Sequence, residues 1–210
     1  KKILMSGGGR CNFTNRDVGP QHFRSSNPHF CKSALSRYTP QDFIAKVQAH
    51  GIPFHEKTLG QLFCDQKSKA IQAMLLKELH EAGADLKLNT VIQHIARSAD
   101  GFFRVATASC AYQAESLVVA TGGLSIPTLG ASPFGYRLAE QFGLKLKPTR
   151  AGLVPLTWRP EDKARYEALS GVALPCEVRA KGPTFKEGML FTHRGLSGPS
   201  VLQASSYWRE

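Results

Sequence analysis

The chain has 210 residues, 42% of them apolar and 20% charged, which is the balance of a folded globular protein rather than a disordered one and enough chain for one large domain or one domain with part of a second. No window approaches the eighteen or so uninterrupted apolar residues that span a bilayer, and the five cysteines, Cys11, Cys31, Cys64, Cys110 and Cys176, are odd in number and widely spaced. That excludes a membrane-spanning helix and the usual paired metal-binding pattern, and it argues for reduced thiols in the cytoplasm. A formal charge of +11 attracts polyanions, so nucleic acid enters as a partner to be weighed.

The first predicted feature is an apolar run, residues 3–5, that ends in Ser6 and the three glycines Gly7, Gly8 and Gly9. Glycines let the backbone turn sharply and let a ligand approach the peptide groups themselves, whose amides form a donor surface for phosphate or a polarised heterocycle. Arg10 adds a positive fork, and Ser6, Asn12, Thr14 and Asn15 add short-range hydrogen bonds. Residues 17–28 read as a surface loop and residues 30–38 as a short helix. Thr39-Pro40-Gln41-Asp42 opens the next helix with a capping hydroxyl, a proline in the first turn and an acid at the third position. Phe43, Ile44 and Val47 form its buried stripe, and Gly51 ends it. Residues 52–65 predict two short strands around a tight turn.

Ser68 is expected to cap the clearest helix, in which Ile71, Met74, Leu75, Leu79 and Ala82 recur at helical spacing before Gly83. Leu86 and Leu88 mark a strand, followed by Val91, Ile92 and Ile95, and Asp100-Gly101 is a hairpin signal between that strand and residues 102–107. A short strand near Tyr112 leads to residues 117–120, a short buried strand that runs into Gly122-Gly123. Ser132-Pro133 begin a helix with Leu138, Ala139 and Phe142 inward, stopped by Gly143. Its free amides are placed to favour negative charge on a bound ligand, or it is an ordinary capped helix. From residue 153 onward, prolines at 155, 160, 175 and 183 separate β-like runs, including 173–180 and 189–191, and a domain boundary is expected near Pro155. These elements predict an α/β domain with a mixed accessory sheet.

Three motifs, residues 2–15 (KILMSGGGRCNFTN), Ala120-Thr121-Gly122-Gly123 and residues 190–199 (LFTHRGLSGP), resemble the BaiN/YhiN family of bacterial NAD(P)/FAD-dependent oxidoreductases, the HI0933-like flavoproteins. The resemblance covers nearly the whole chain. It implies a glutathione-reductase-like FAD-binding domain over residues 1–154 and the start of an inserted β-rich substrate domain over 155–210. It places Ser6, Gly7, Gly8, Gly9, Arg10, Cys11, Asn12, Thr14 and Asn15 along FAD, Val91 at the adenine, and Ala120, Thr121, Gly122 and Gly123 beside the cofactor. It further implies two-electron chemistry on a small-molecule substrate with NAD(P)H as a candidate electron partner. Members of the family open with a Gly-x-Gly-x-x-Gly turn that holds the pyrophosphate. That turn is missing here, and the chain is expected to be a fragment lacking both that segment and a returning C-terminal one.

Thr192, His193 and Arg194 are the candidates for catalysis, since a histidine near the substrate side of a flavin can exchange a proton at neutral pH; a hydrogen-bonded histidine organising a turn is the other reading. Cys11 beside Arg10 is either an activated thiolate or a small packed side chain. Lys and Arg are scattered singly, the longest clusters being Lys67-Ser68-Lys69 and Lys145-Leu146-Lys147. The expectation is therefore no nucleic acid and no membrane partner, with a basic nucleic-acid-binding protein as the alternative.

Overall fold

The computed structural model describes residues 2–208; Lys1, Arg209 and Glu210, where the expected truncation points fall, lie outside the described residues. The chain is a mixed α/β structure divided into two compact units, Lys1–Leu146 and Lys147–Glu210. Residues just after that division fold with the second unit: the amides of Leu153 and Val154 donate to the hydroxyls of Ser206 and Ser205.

The first unit opens with one helical turn, α1 (Lys2–Met5), then the glycine turn, then β1 (Asn12–Asn15). A loop leads to α2 (Lys32–Arg37) and α3 (Pro40–Ala49). The start of α3 follows its local sequence. Thr39 Oγ1 accepts from the Asp42 amide while Asp42 accepts from the Thr39 amide, which satisfies two donors that a helix end leaves free. Next come β2 (Phe54–Glu56) and β3 (Gln61–Cys64), and the antiparallel sheet order is β1-β3-β2. The central strand is the best buried: Leu62 is fully enclosed, with Phe63 and Cys64 beside it. Helix α4 (Ser68–Glu81) closes this core, in which Ile71 and Met74 meet Cys11, Val47, Ile52 and Cys64. Phe13 sets its ring edge-on to Phe43 and Phe54, at centroid distances of 5.9 and 5.3 Å.

Helices α3 and α4 are also tied by charge. Lys46 and His50 both reach Glu78, with His50 Nε2 3.1 Å from its carboxylate, and the Lys46 hydrogen bond chiefly holds the Glu78 carboxyl below its ordinary value. A group depressed in the folded state binds more protons when unfolded, so its stabilisation is present above the unfolded value. Stability should therefore fall as pH drops from the ordinary glutamate range through the lower folded value. Denaturant midpoints measured across that window should show a shallower pH slope in Glu78→Gln, and an unchanged slope would rule the cluster out as its source.

A separate antiparallel sheet, β4 (Ile92–Arg97), β5 (Phe103–Thr107) and β6 (Ala111–Ala114), follows in that order. Its first hairpin turns at Asp100-Gly101 as expected, with Asp100 accepting from the Phe102 amide and Gly101 at φ +89°. Helix α5 (Phe134–Gln141) ends the unit, and Gln141 Nε2 donates to the Ile95 carbonyl at 2.6 Å.

Three expectations are corrected here. Residues 117–120 are not a buried strand: they join no ladder, and Val118 is 85% exposed. Leu86 and Leu88 also form no strand, and Leu88 is 71% exposed. The cause is the same in both cases. An apolar extended segment becomes a strand only when a neighbour takes up its amides and carbonyls, and no described segment lies alongside to do so. Nor does Ser68 cap α4. Lys67 occupies the cap position, and the Ser68 hydroxyl donates to the Leu4 carbonyl, fastening the helix to α1 instead.

The second unit is a four-stranded antiparallel sheet built from β7 (Leu156–Thr157), β8 (Ala173–Arg179), β9 (Thr184–Thr192) and β10 (Gly195–Ser197), in the order β7-β10-β9-β8. Helix α6 (Pro160–Tyr166) follows β7, and α7 (Pro199–Ser205) packs on the sheet through Val201 and Ala204. The fully buried Ser200 hydroxyl donates to the Gly188 carbonyl.

Candidate functional site

The glycine turn is built from left-handed backbone: Gly7, Gly8 and Gly9 lie at φ +56°, +66° and +83°. Side chains disfavour that region, which is why the sequence needs glycine here. The three glycines differ in what surrounds them. A Cβ on Gly7 would stand 2.7 Å from the Phe63 ring and 2.8 Å from the Asn12 amide, so this glycine is required by packing within the protein. A Cβ on Gly8 would meet nothing within 4 Å, so its peptide faces open space. Arg10 is exposed and makes no ion pair among the described residues.

The polar residues of the segment mostly hold its shape. Ser6 Oγ donates to the Asn12 carbonyl at 3.0 Å, Asn15 Nδ2 to the Leu59 carbonyl at 2.8 Å, and Thr14 Oγ1 to the Asn15 carbonyl. Cys11 turns its side chain into the core, where burial pushes the thiol up, with a further rise from neighbouring Cys64. The packed-side-chain reading of Cys11 therefore holds, and the activated thiolate does not. Sequence alone gave Cys11 no cysteine neighbour; pairing of β1 with β3 supplies one, the Cys64 amide donating to the Cys11 carbonyl at 3.1 Å. All five cysteines are free.

Thr121, Gly122 and Gly123 line a cleft of about 280 Å³ together with Val119, Gly135 and Tyr136, while Ala120 is not among the lining residues. Gly122 is left-handed at φ +73° with no atom within 4 Å of a would-be Cβ. Across the cleft the start of α5 packs tightly: a Cβ on Gly135 would fall 2.6 Å from Thr121 Oγ1. Gly135 and Tyr136 went unrecognised in the sequence; the glycine one residue inside a helix start, where it weakens the helix, was the signal that a backbone must come close there. Ser132 Oγ accepts from the Phe134 amide at the same helix start.

Lys2 Nζ, in the helical turn before the first glycines, donates to Ser125 Oγ, two residues beyond Gly123, at 2.9 Å. Val91 stands immediately before β4, exposed, and among the described residues no hydrogen bond joins it to either segment. Gly8 and Gly122 leave bare backbone in open space where a side chain would stand; other glycines such as Gly83 share that openness, and of these only Gly122 lines the cleft, which leaves room there for a ligand to approach the peptide. Among the described residues no three His, Cys, Asp or Glu side chains stand together to hold a metal ion.

In the second unit, Thr192, His193 and Arg194 form the tip of the β9–β10 hairpin. The Thr192 hydroxyl is committed to that turn: it donates to the Gly195 carbonyl and accepts from the Arg194 and Gly195 amides. His193 is exposed, and Trp158 stacks near Phe191 while its indole donates to the Thr192 carbonyl. The turn-organising role expected of this tip belongs to Thr192 rather than to the histidine.

Residues 1–181 match the family model described as HI0933-like protein Rossmann domain, which puts the chain in the Rossmann class of nucleotide-binding domains. The chain belongs to the HI0933-like family. It is 54% identical over 213 residues to the ribosomal RNA dihydrouridine synthase of Escherichia coli, a match covering all of this chain and 52% of that protein. The enzyme of the same name from Haemophilus influenzae is 52% identical over 213 residues, again covering the whole chain and 53% of the relative. A 3-dehydro-bile acid delta(4,6)-reductase of Clostridium scindens is 28% identical over 214 residues, covering 99% of this chain and 51% of that protein. The chain thus spans about half the length of the curated relatives it matches. Two of these names refer to ribosomal RNA, which removes the support for expecting no nucleic acid partner. No helix among the described residues is long and apolar enough to cross a membrane.

Proposed function

We propose that the full-length protein is a cytoplasmic, FAD-dependent enzyme that reduces uridine in ribosomal RNA to dihydrouridine. The observation that carries the substrate is overall identity of 54% and 52%, in matches that cover the whole chain, to two proteins of that name. The +11 charge and the five free cysteines agree with a cytoplasmic enzyme that handles a polyanion. On this reading the first unit is the glutathione-reductase-like cofactor domain and the second is the start of the inserted β-rich domain.

Reduction adds a hydride and a proton across the carbon–carbon double bond of the uracil ring, and the two electrons come from a nicotinamide-class donor. Bound flavin supplies the hydride chemistry; the protein contributes binding, orientation and local charge. Ser6, Gly8, Arg10, Asn12, Thr14 and Asn15 are assigned to one side of the cofactor and residues 120–123 to the other, with Val91 toward the adenine. Membership of the family supports the first assignment, and the cleft lined by Thr121, Gly122 and Gly123 supports the second. His193, exposed at the β9–β10 hairpin tip of the second unit, is kept as a candidate proton carrier on its chemistry alone. A second reading, reduction of a small polycyclic substrate, is favoured by the bile acid reductase match alone.

The test uses full-length protein. It should purify yellow and release its colour into the supernatant on denaturation, because the flavin is held without a covalent bond. With NADPH and ribosomal RNA from a strain lacking the gene, nucleoside mass spectrometry should detect new dihydrouridine. A colourless protein indifferent to FAD defeats the flavin assignment; a yellow protein that leaves the RNA unchanged defeats the substrate assignment.

A further inference from the structure

Between β1 and α3 runs a stretch that the cofactor site does not use. Residues 18–41 contain no acid, and they carry Arg24, Lys32 and Arg37 together with His22 and His29. Each cation stands within two positions of an aromatic residue: Phe23 with Arg24, Phe30 with Lys32, Tyr38 with Arg37. These rings are not core. Phe30 is 80% exposed, and Phe23 and Tyr38 are about half exposed, at 47% and 51%.

The local backbone holds this arrangement in place. The Asn27 amide donates to Ser25 Oγ, the His29 amide to Asn27 Oδ1 and the Phe30 amide to the Asn27 carbonyl, which forms a tight turn that presents Phe30. The six residues of α2 then carry Lys32 and Arg37 on exposed positions. The stretch is fastened at its base, where Gln41 Nε2 donates to the Arg16 carbonyl and Arg16 pairs with Glu56. The acids that flank it are engaged: Asp17 lies 3.9 Å from His22, and Asp42 is held by Thr39. Since it begins directly after β1, the stretch leads straight out of the glycine segment.

Exposed rings interleaved with cations, without an acid, suit one kind of ligand. Unstacked bases lie on the rings while phosphates meet the cations, and neither interaction requires a particular base. The cations alone would serve any polyanion; the exposed rings set among them add the stacking that bases offer and an acidic peptide does not, and α2 is too short to lie amphipathically on a membrane. We propose that residues 18–41 are the docking segment for single-stranded or looped RNA, with Phe30 as its stacking platform and Lys32 and Arg37 as phosphate contacts. The proposal rests on the ribosomal RNA reading above and locates its substrate surface. It also revises the sequence-based expectation, drawn from the scattered lysines and arginines, of no nucleic acid partner.

The experiment compares full-length wild type, Phe30→Ala and the double variant Lys32→Ala/Arg37→Ala. Binding of a short uridine-containing single-stranded oligoribonucleotide is followed by fluorescence anisotropy over a series of KCl concentrations. Phe30→Ala should weaken binding on the order of tenfold, the loss of one stacked base. The double variant should flatten the log–log salt slope by about 1.4, at roughly 0.7 per phosphate contact on single strands. Flavin absorbance and urea midpoint should match wild type in both, since the altered side chains lie on the surface. If wild type forms dihydrouridine in ribosomal RNA and the variants bind RNA as it does, the docking segment is wrong and the enzymatic reading stands. If wild type carries flavin yet neither binds nor modifies RNA, both fall. Variants that lose self-association while keeping RNA affinity would assign the surface to a second copy of the chain and overturn the proposal.

Discussion

Full-length protein carrying Gly122→Val should lose flavin occupancy by at least roughly tenfold, while the matched substitution Gly83→Val leaves occupancy unchanged. The two glycines make a controlled pair. Both are left-handed, at φ +73° and +67°, and a Cβ on either would meet no protein atom within 4 Å. The backbone strain of placing a branched residue there is therefore comparable, about 1–2 kcal/mol. Only Gly122 lines the cleft; Gly83 closes α4. A difference in flavin content between the two variants reports what the cleft holds rather than what the backbone tolerates. Gly8→Val should behave like Gly122→Val, and Cys11→Ala, a change inside the core, should keep its flavin. Equal absorbance per protein in Gly122→Val and Gly83→Val would show that these glycines shape turns and nothing else.

The largest loss of stability is expected from Gly195→Ala. Gly195 sits opposite both Thr157 on β7 and Thr192 on β9, at φ +155°, and a Cβ there would lie 1.8 Å from the Leu156 carbonyl oxygen. The colliding atom is backbone in a paired strand, so it cannot move aside as a flexible side chain would. The β7–β10 pairing must open or the strand must shift. Either response also pulls the Gly195 carbonyl and amide away from the Thr192 hydroxyl that they bracket. The cost should reach about 3 kcal/mol or more, the upper end for a single substitution, and dihydrouridine formation should fall with it if His193 acts from that tip. Gly171→Ala is the comparison, left-handed at φ +94° but with open space around it. Urea midpoints that coincide for the two variants would mean the hairpin is not held by this contact.

Much of the local structure could be read from the residues. The α3 start, the Asp100-Gly101 hairpin, and the helix ends at Gly51, Gly83 and Gly143 are each decided within a few residues, by a hydroxyl, a carboxylate or the absence of a Cβ. The family was legible for the same reason, because its three motifs are short, contiguous runs of residues. The +11 charge raised nucleic acid as a partner, but the single scattered lysines and arginines led to the expectation of none, because linear spacing does not show which cations share a surface.

Other features depended on what each segment meets in space. The apolar pattern of residues 117–120 specifies an extended chain and says nothing of its pairing partner, so Val118 lies exposed instead of buried. Cys11 and Cys64 became neighbours only through the pairing of β1 with β3. Gly135 and Tyr136 entered the cleft through the packing of α5 on Thr121, and the Thr192 hydroxyl was spent on its own turn. Backbone conformation and capping depend on interactions between residues close in sequence. Burial, strand pairing and the walls of a cleft depend on residues far apart, and their free energy is gained only when those residues meet.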